Sequence, residues 1–269
     1  MTTLWHAALL GVVQGITEFL PVSSSAHLIL ARAFFGWNGE AFGLAFDVAT
    51  HVGTLGAVLV YFREDVMGMA RAVPRVLAGR DADARRLQRI VLGTVPVVII
   101  GGLLGDWLET TTRTPQVAAV TLAIGAVLFL VVERLGSHRR ASDADLGPVE
   151  AVIFGIAQTC ALVPGVSRSG ATIIAGMSMG FTRAAAARFG FLLGIPAILA
   201  AAAKAALDVV QDGTPVDVPV FLVGIVTSFV VGYLTVAFFM RFLGRARLDV
   251  FAMYRLALAA TVVVWILSA

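Results

Sequence analysis

Only one of the 269 residues is a cysteine, only one is a lysine, and no more than 14% are charged. With Cys160 alone, an intrachain disulfide framework is excluded. Soluble domains carry about 25% charged residues, so this shortage excludes a disordered chain and an ordinary soluble enzyme. The sequence also lacks a Walker loop, a dinucleotide fingerprint and any His/Cys spacing of a metal site, so no nucleotide is expected as a partner. No Lys or Arg precedes Arg32, which leaves the apolar N-terminus without the basic region of a secretory signal. That end is read as part of the mature chain.

What is present is apolar: 59% of residues are hydrophobic, and the mean hydropathy is +0.91. A bilayer crossing takes about 20 apolar residues, so a chain of this length holds six to eight such segments and little else. The net charge is +3, and nineteen of the twenty basic residues are arginine. In a soluble protein such a balance raises nucleic acid as a partner. In a membrane protein the arginines orient the loops instead, and no nucleic acid is expected.

Eight apolar stretches stand out: 4–35, 44–62, 90–105, 117–132, 149–181, 189–203, 218–240 and 250–268. Six read as single crossings, with 90–105, 117–132 and 189–203 borrowing flanking residues. The other two are interrupted, 4–35 by Pro21–His27 and 149–181 by Pro164–Gly170. The arm after each break is too short to cross alone. Irregular backbone at membrane depth is tolerated only where protein or a wet cavity surrounds it. Both stretches are therefore expected as re-entrant hairpins.

With re-entrant hairpins, the loops 63–89, 133–148, 182–188 and 241–249 share one side and hold fifteen Arg. The opposite loops, 36–43, 106–116 and 204–217, hold only Arg113 and Lys204. The positive-inside rule makes the arginine side cytoplasmic and sends both termini outward.

The two breaks are related. A shift of 144 residues pairs Gly11 with Gly155, Gln14 with Gln158, Val22 with Val166, Ser23 with Ser167 and Ser25 with Ser169. It also pairs Ile29 with Ile173 and Ala31 with Ala175, seven identities over 21 positions without a gap. Three crossings separate the copies, so the second is upside down. Inverted repeats with broken helices at the midplane are a transporter architecture. The expected fold is an all-α integral membrane protein with six transmembrane helices and two re-entrant helical hairpins. Its inverted repeats cover about residues 1–140 and 149–269 of a single membrane domain.

Seven polar groups within these apolar stretches sit where a membrane should forbid them: Gln14, Glu18, His27, Asp47, His51, Arg168 and Arg255. An intramembrane ionisable group is costly and by default marks a site or pairs with another. Gln14 and Glu18 share a helix face four residues apart, toward the break that carries Ser23, Ser24, Ser25 and His27. The second break offers Ser167, Arg168, Ser169 and Gly170 ahead of a helix, where backbone N–H groups favour an anion. Arg168 adds a planar fork suited to phosphate oxygens. Asp47 and His51 are one helical turn apart and are candidates to support this cluster or to pair with Arg255. An acid, hydroxyls, an imidazole and an anion clamp imply phosphate chemistry beside lipid.

The segments Gln14–His27 (QGITEFLPVSSSAH) and Pro164–Gly170 (PGVSRSG) resemble the signature motifs of bacterial undecaprenyl-pyrophosphate phosphatases. Phe46–Thr54 and Phe251–Arg255 are similar to that family too, and the resemblance runs end to end. The family's first motif opens with Glu or Gln, and here it is Gln14, which removes one carboxylate. Its usual glycine before the histidine is Ala26. The resemblance implies hydrolysis of the terminal phosphate of the C55 lipid carrier at the outer face of the cytoplasmic membrane, bacitracin resistance, and help from Mg²⁺ or Ca²⁺. Glu18 is the candidate metal ligand, the expected partners are the polyprenyl pyrophosphate lipid and the membrane, and a homodimer is a candidate assembly.

Spacing after the first break puts Ser24 and His27 on one helix face and turns Ser25 away. This favours Ser24 as nucleophile with His27 as its base, while direct attack by His27 and a water activated by Glu18 stay open. The rival function is a transporter or flippase for a lipid phosphate or small anion, argued from the inverted repeats. A carrier needs Arg168 but has no need of Glu18 beside a Ser/His run.

Overall fold

A computed structural model describes residues 2–37, 42–79, 81–135, 139–142, 146–212 and 216–268. Parts of the loops 36–43, 133–148 and 204–217, together with Arg80, lie outside these residues.

Six described helices are long and apolar enough to cross a membrane. They are α3 (Leu44–Tyr61), α5 (Ala82–Thr112), α6 (Pro115–Leu135), α9 (Arg183–Asp212), α10 (Val218–Leu243) and α11 (Asp249–Ser268). Local chemistry starts them where the sequence turns polar. Asp81 caps α5 through Ala84 N at 2.8 Å, Asp217 caps α10 through Val220 N at 3.3 Å, and Pro115 opens α6. The short apolar stretches 90–105 and 189–203 grow into helices of 31 and 30 residues. At about 1.5 Å per residue such helices outrun a hydrocarbon core of about 30 Å. One expected loop is not a loop. Residues Arg63–Ala72 form α4, with Glu64 and Asp65 in its first turn and Arg71 in its last, followed by a 3₁₀ turn over Val73–Ala78. Its buried Met69 and Ala72 give it an apolar face that a scan for long hydrophobic runs passes over.

Each interrupted stretch is a pair of short helices. The first pair is α1 (Thr2–Thr17) and α2 (Ser24–Phe35), and the second is α7 (Pro148–Cys160) and α8 (Arg168–Ser178). His6 of α1 stacks on Trp37, just past α2, with ring centroids 4.3 Å apart. The first pair therefore starts and finishes at one end of the bundle. Gly180 O, just past α8, accepts from Arg139 N and Arg140 N at 3.1 and 3.0 Å, and Arg140 pairs with Glu150 of α7. The second pair likewise returns to its own starting end.

The two breaks are built alike. Ser23 (φ 73°) and Ser167 (φ 70°) are the described non-glycine residues with positive φ. Each is the N-cap of the helix that follows, accepting from Ala26 N at 3.5 Å and Gly170 N at 3.1 Å. Each also lies 3.2 Å, oxygen to oxygen, from the serine two residues on, Ser25 or Ser169.

Cross-loop bonds group the connections. Asp65 binds Arg188, Glu133 binds Arg183 and Leu248 N, and Arg89 donates to Leu146 O. These contacts gather the four arginine-rich connections at one end. At the other, Lys204 pairs with Asp106 at 3.0 Å, and Arg113 with Asp47 at 2.5 Å. Small residues let the helices meet: a Cβ on Gly53 of α3 would lie 2.3 Å from Ile225 O of α10, and one on Gly155 of α7 would lie 2.2 Å from Gly93 O of α5.

Candidate active site

Glu18 is the hub where the two breaks meet. It ends the first arm, 7% exposed, and its carboxylate gathers four side chains. Gln14 Nε2 donates to Oε2 at 2.9 Å, and Ser24 Oγ donates to the same oxygen at 2.7 Å. Arg168 donates to Oε1 from the second break, and His51 Nε2 of α3 stands 3.3 Å from Oε2. Ser169 Oγ ties the second break to the first by donating to Leu20 O at 3.2 Å. A cavity of about 210 Å³ opens on this cluster, walled by Glu18, Ser23, Ser24, Ser25, His51, Ser167 and Arg168. A buried carboxylate that already holds a guanidinium and a hydroxyl can accept a proton from that hydroxyl or share the cation with an incoming anion.

Asp47 and Arg255 do not pair. Asp47 takes Arg32 in a two-pronged contact at 2.7 and 2.8 Å and Arg113 at 2.5 Å. Its own backbone oxygen lies 2.7 Å from His51 Nδ1, which aims Nε2 at Glu18. Arg255 is fully buried and, among the described residues, donates only to backbone oxygens. These are Thr121 O and Leu122 O of α6, Pro21 O of the first break, and Gly165 O and Val166 O of the second, all within 3.0–3.3 Å. It is a strut that holds both breaks through the carbonyls a broken helix leaves unpaired. Gly125 and Gly170 make room for it, since a Cβ there would lie 2.0 and 3.2 Å from its guanidinium nitrogens.

His27 and Ser24 share a helix face without meeting. His27 Nδ1 turns back to Ser23 O at 2.7 Å, and Nε2 meets Tyr254 Oη at 2.7 Å with the rings stacked. The i, i+3 rule places Cβ atoms near each other but leaves χ angles free, and Ser23 O, which also accepts from His27 N at 3.2 Å, captures the imidazole. Tyr254, Arg32 and Arg113 escaped the sequence reading. Tyr254 adjoins Arg255 in a segment already singled out, whereas nothing in sequence ties Arg113 to Asp47.

Among the described residues no group of three or more His, Cys, Asp or Glu side chains gathers to hold a metal. Gln14 Oε1, however, is buried with no hydrogen-bond partner among the described residues, beside the Glu18 carboxylate and the Ser24 hydroxyl. These are hard oxygen donors, and Mg²⁺ takes one or two carboxylates plus substrate phosphates rather than an all-protein cage. The residues fit such a cation bound together with a phosphate ligand.

Fold and site define a polytopic, all-helical membrane protein with a carboxylate, hydroxyls and a guanidinium assembled between two helix breaks. The chain belongs to the bacitracin resistance protein BacA family, whose description matches residues 7–261. It is 48% identical over 267 residues to the undecaprenyl-diphosphatase of Rubrobacter xylanophilus, covering 97% of this chain and 98% of that one. It is 43% identical over 264 residues to the undecaprenyl-diphosphatase of Marinobacter nauticus, covering 96% and 97%.

Proposed function

We propose that this chain hydrolyses undecaprenyl pyrophosphate to undecaprenyl phosphate and inorganic phosphate. The observation that carries the reading is Glu18, a buried carboxylate shared by Arg168 of one break and Ser24 of the other inside a membrane bundle. Its relatives named undecaprenyl-diphosphatase support the substrate. A second, almost entirely apolar groove of about 450 Å³ lies beside the site between α4, α5 and α9. It begins at Val98 and Pro196, one residue from Val97 and Ala197 of the polar cavity, and suits a prenyl tail.

In the mechanism we favour, the diphosphate enters the cavity and Arg168 turns from Glu18 to its oxygens. Ser24 Oγ attacks the terminal phosphorus as Glu18 takes its proton. The bond from that phosphorus to the bridging oxygen breaks, and undecaprenyl phosphate leaves. Glu18 passes that proton to the leaving phosphate. Water then attacks the phosphoserine while Glu18 accepts its proton and returns it to Ser24 Oγ as inorganic phosphate departs. The start of α8 faces the developing charge with its free backbone N–H groups. Glu18 and Gln14 Oε1 would hold a divalent cation, which supplies charge neutralisation for the diphosphate. The purified protein in detergent should release phosphate from undecaprenyl pyrophosphate, and more in Mg²⁺ or Ca²⁺ than in chelator. No release under either condition refutes the reading.

The halves 1–140 and 149–269 are read as inverted repeats in the cytoplasmic membrane, with the arginine-rich end inside and the site reached from outside. The matched serine caps and the pairs returning to their own ends support this. Cysteines replacing Leu77, which is 97% exposed, and Thr111, also exposed, report the two ends in a Cys160→Ser background. An impermeant thiol reagent on intact cells should label position 111 and spare 77. Labelling of both, or of 77 alone, rejects the topology.

A further inference from the structure

Gln158 is 2% exposed in the wall of the site cavity, and neither Oε1 nor Nε2 of its amide has a hydrogen-bond partner among the described residues. An unpartnered buried amide is unfavourable, so this one does not serve the fold. Its neighbours behave differently: the hydroxyl of Thr159 and the thiol of Cys160 each return to a carbonyl of their own helix, at 2.8 and 3.5 Å. The repeat explains how the amide came to be idle. At the matching place on α1, Gln14 donates to Glu18 four residues on. Four residues beyond Gln158 stands Leu162, so the second copy carries the amide without the acid. Ser167 and Arg168 wall the same cavity.

We infer that Gln158 is a pyrophosphate-binding residue, its Nε2–H donating to a non-bridging oxygen of the diphosphate held beside Arg168. The inference rests on the hydrolase reading above. A neutral donor suits this wall. A second cation would pair with Glu18 and have to be pulled off it by each substrate, whereas an amide binds the anion without that competition. The Oε1 acceptor then faces the water that accompanies a phosphate, so the amide donates and accepts at the same time through two separate atoms.

The test uses the full chain in detergent, with Gln158→Leu and Gln158→Met. Three quantities are read: kcat/KM for undecaprenyl pyrophosphate, the inhibition constant of inorganic pyrophosphate, and the thermal midpoint. Both variants should lose about tenfold to a hundredfold in kcat/KM, the range for one hydrogen bond to a charged group. The inhibition constant should rise in parallel, and the midpoint should stay or rise because no bond of the fold is lost. Unchanged kcat/KM and inhibition constant in either folded variant overturn the assignment. A lowered midpoint with an unchanged inhibition constant overturns it as well, since the amide would then be structural. Absence of phosphate release by the unsubstituted protein overturns the hydrolase reading and this assignment with it, whereas a fully active Gln158→Leu overturns the assignment alone.

Discussion

Arg168→Lys is expected to lower kcat/KM for undecaprenyl pyrophosphate by about 10²-fold or more, the cost of removing one transition-state donor. Arg168 reaches Glu18 with one terminal nitrogen and lies 3.4 Å from Gly194 O with the other. That places a planar fork across the cavity, and turning it exposes two parallel N–H groups to the phosphoryl oxygens. A lysine ammonium keeps the charge and so keeps Glu18 compensated, but it is a point donor and cannot make the two-pronged contact. The loss should therefore fall on kcat as the transition state gains charge, with a smaller change in KM. Steady-state phosphate release measures both. Full activity in Arg168→Lys would mean that charge alone suffices at this position, and the clamp would have to be sought elsewhere.

The architecture was legible because it is a matter of length and polarity. Six apolar runs, two helix-breaking centres and a lopsided arginine count need only the cost of burying backbone and charge in lipid. The cluster was legible for the same reason, since Glu18 and Arg168 can exist at that depth only in company. Partners were harder to read. For Asp47 the sequence pointed only to Arg255, and the fold brings Arg32 and Arg113 to it instead. Arg255 satisfies its charge with carbonyl oxygens, which every residue carries and no sequence pattern marks. Helix α4 is short and half-polar, and it hides in a stretch whose charge reads as loop.

The paired breaks carry a physical cost that bears on their role. Ser23 and Ser167 hold a backbone conformation that side chains other than glycine seldom adopt. Each recovers part of that cost as an N-cap, and Arg255 recovers more by bonding carbonyls at both breaks. What the strain achieves is geometry. It sets Ser24 against Glu18 while His27, on the same helix face, turns back to Ser23 O, and it opens two helix N-termini toward one cavity.

Glu18→Gln should produce the largest loss, about 10²–10⁴-fold in kcat, the range for removing a positioned general base. The amide keeps the size of the carboxylate and one acceptor for Arg168 or Ser24, so the variant should fold. A serine hydroxyl is a weak nucleophile without an adjacent base, and the 2.7 Å contact from Ser24 Oγ to Glu18 Oε2 supplies one. The imidazole expected in that role from spacing is engaged elsewhere, with Ser23 O and Tyr254 Oη each 2.7 Å from a ring nitrogen. Chemical quench with a diphosphate labelled in its terminal phosphate separates the possibilities. The unsubstituted protein should yield an acid-stable adduct on Ser24, absent in Ser24→Ala and forming far more slowly in Glu18→Gln. His27→Gln should still form it, at a rate reduced less than that of Glu18→Gln. An acid-labile adduct lost in His27→Gln would move the nucleophile to the imidazole. No adduct at full turnover would assign the attack to water activated by Glu18, with Ser24 reduced to a phosphate ligand.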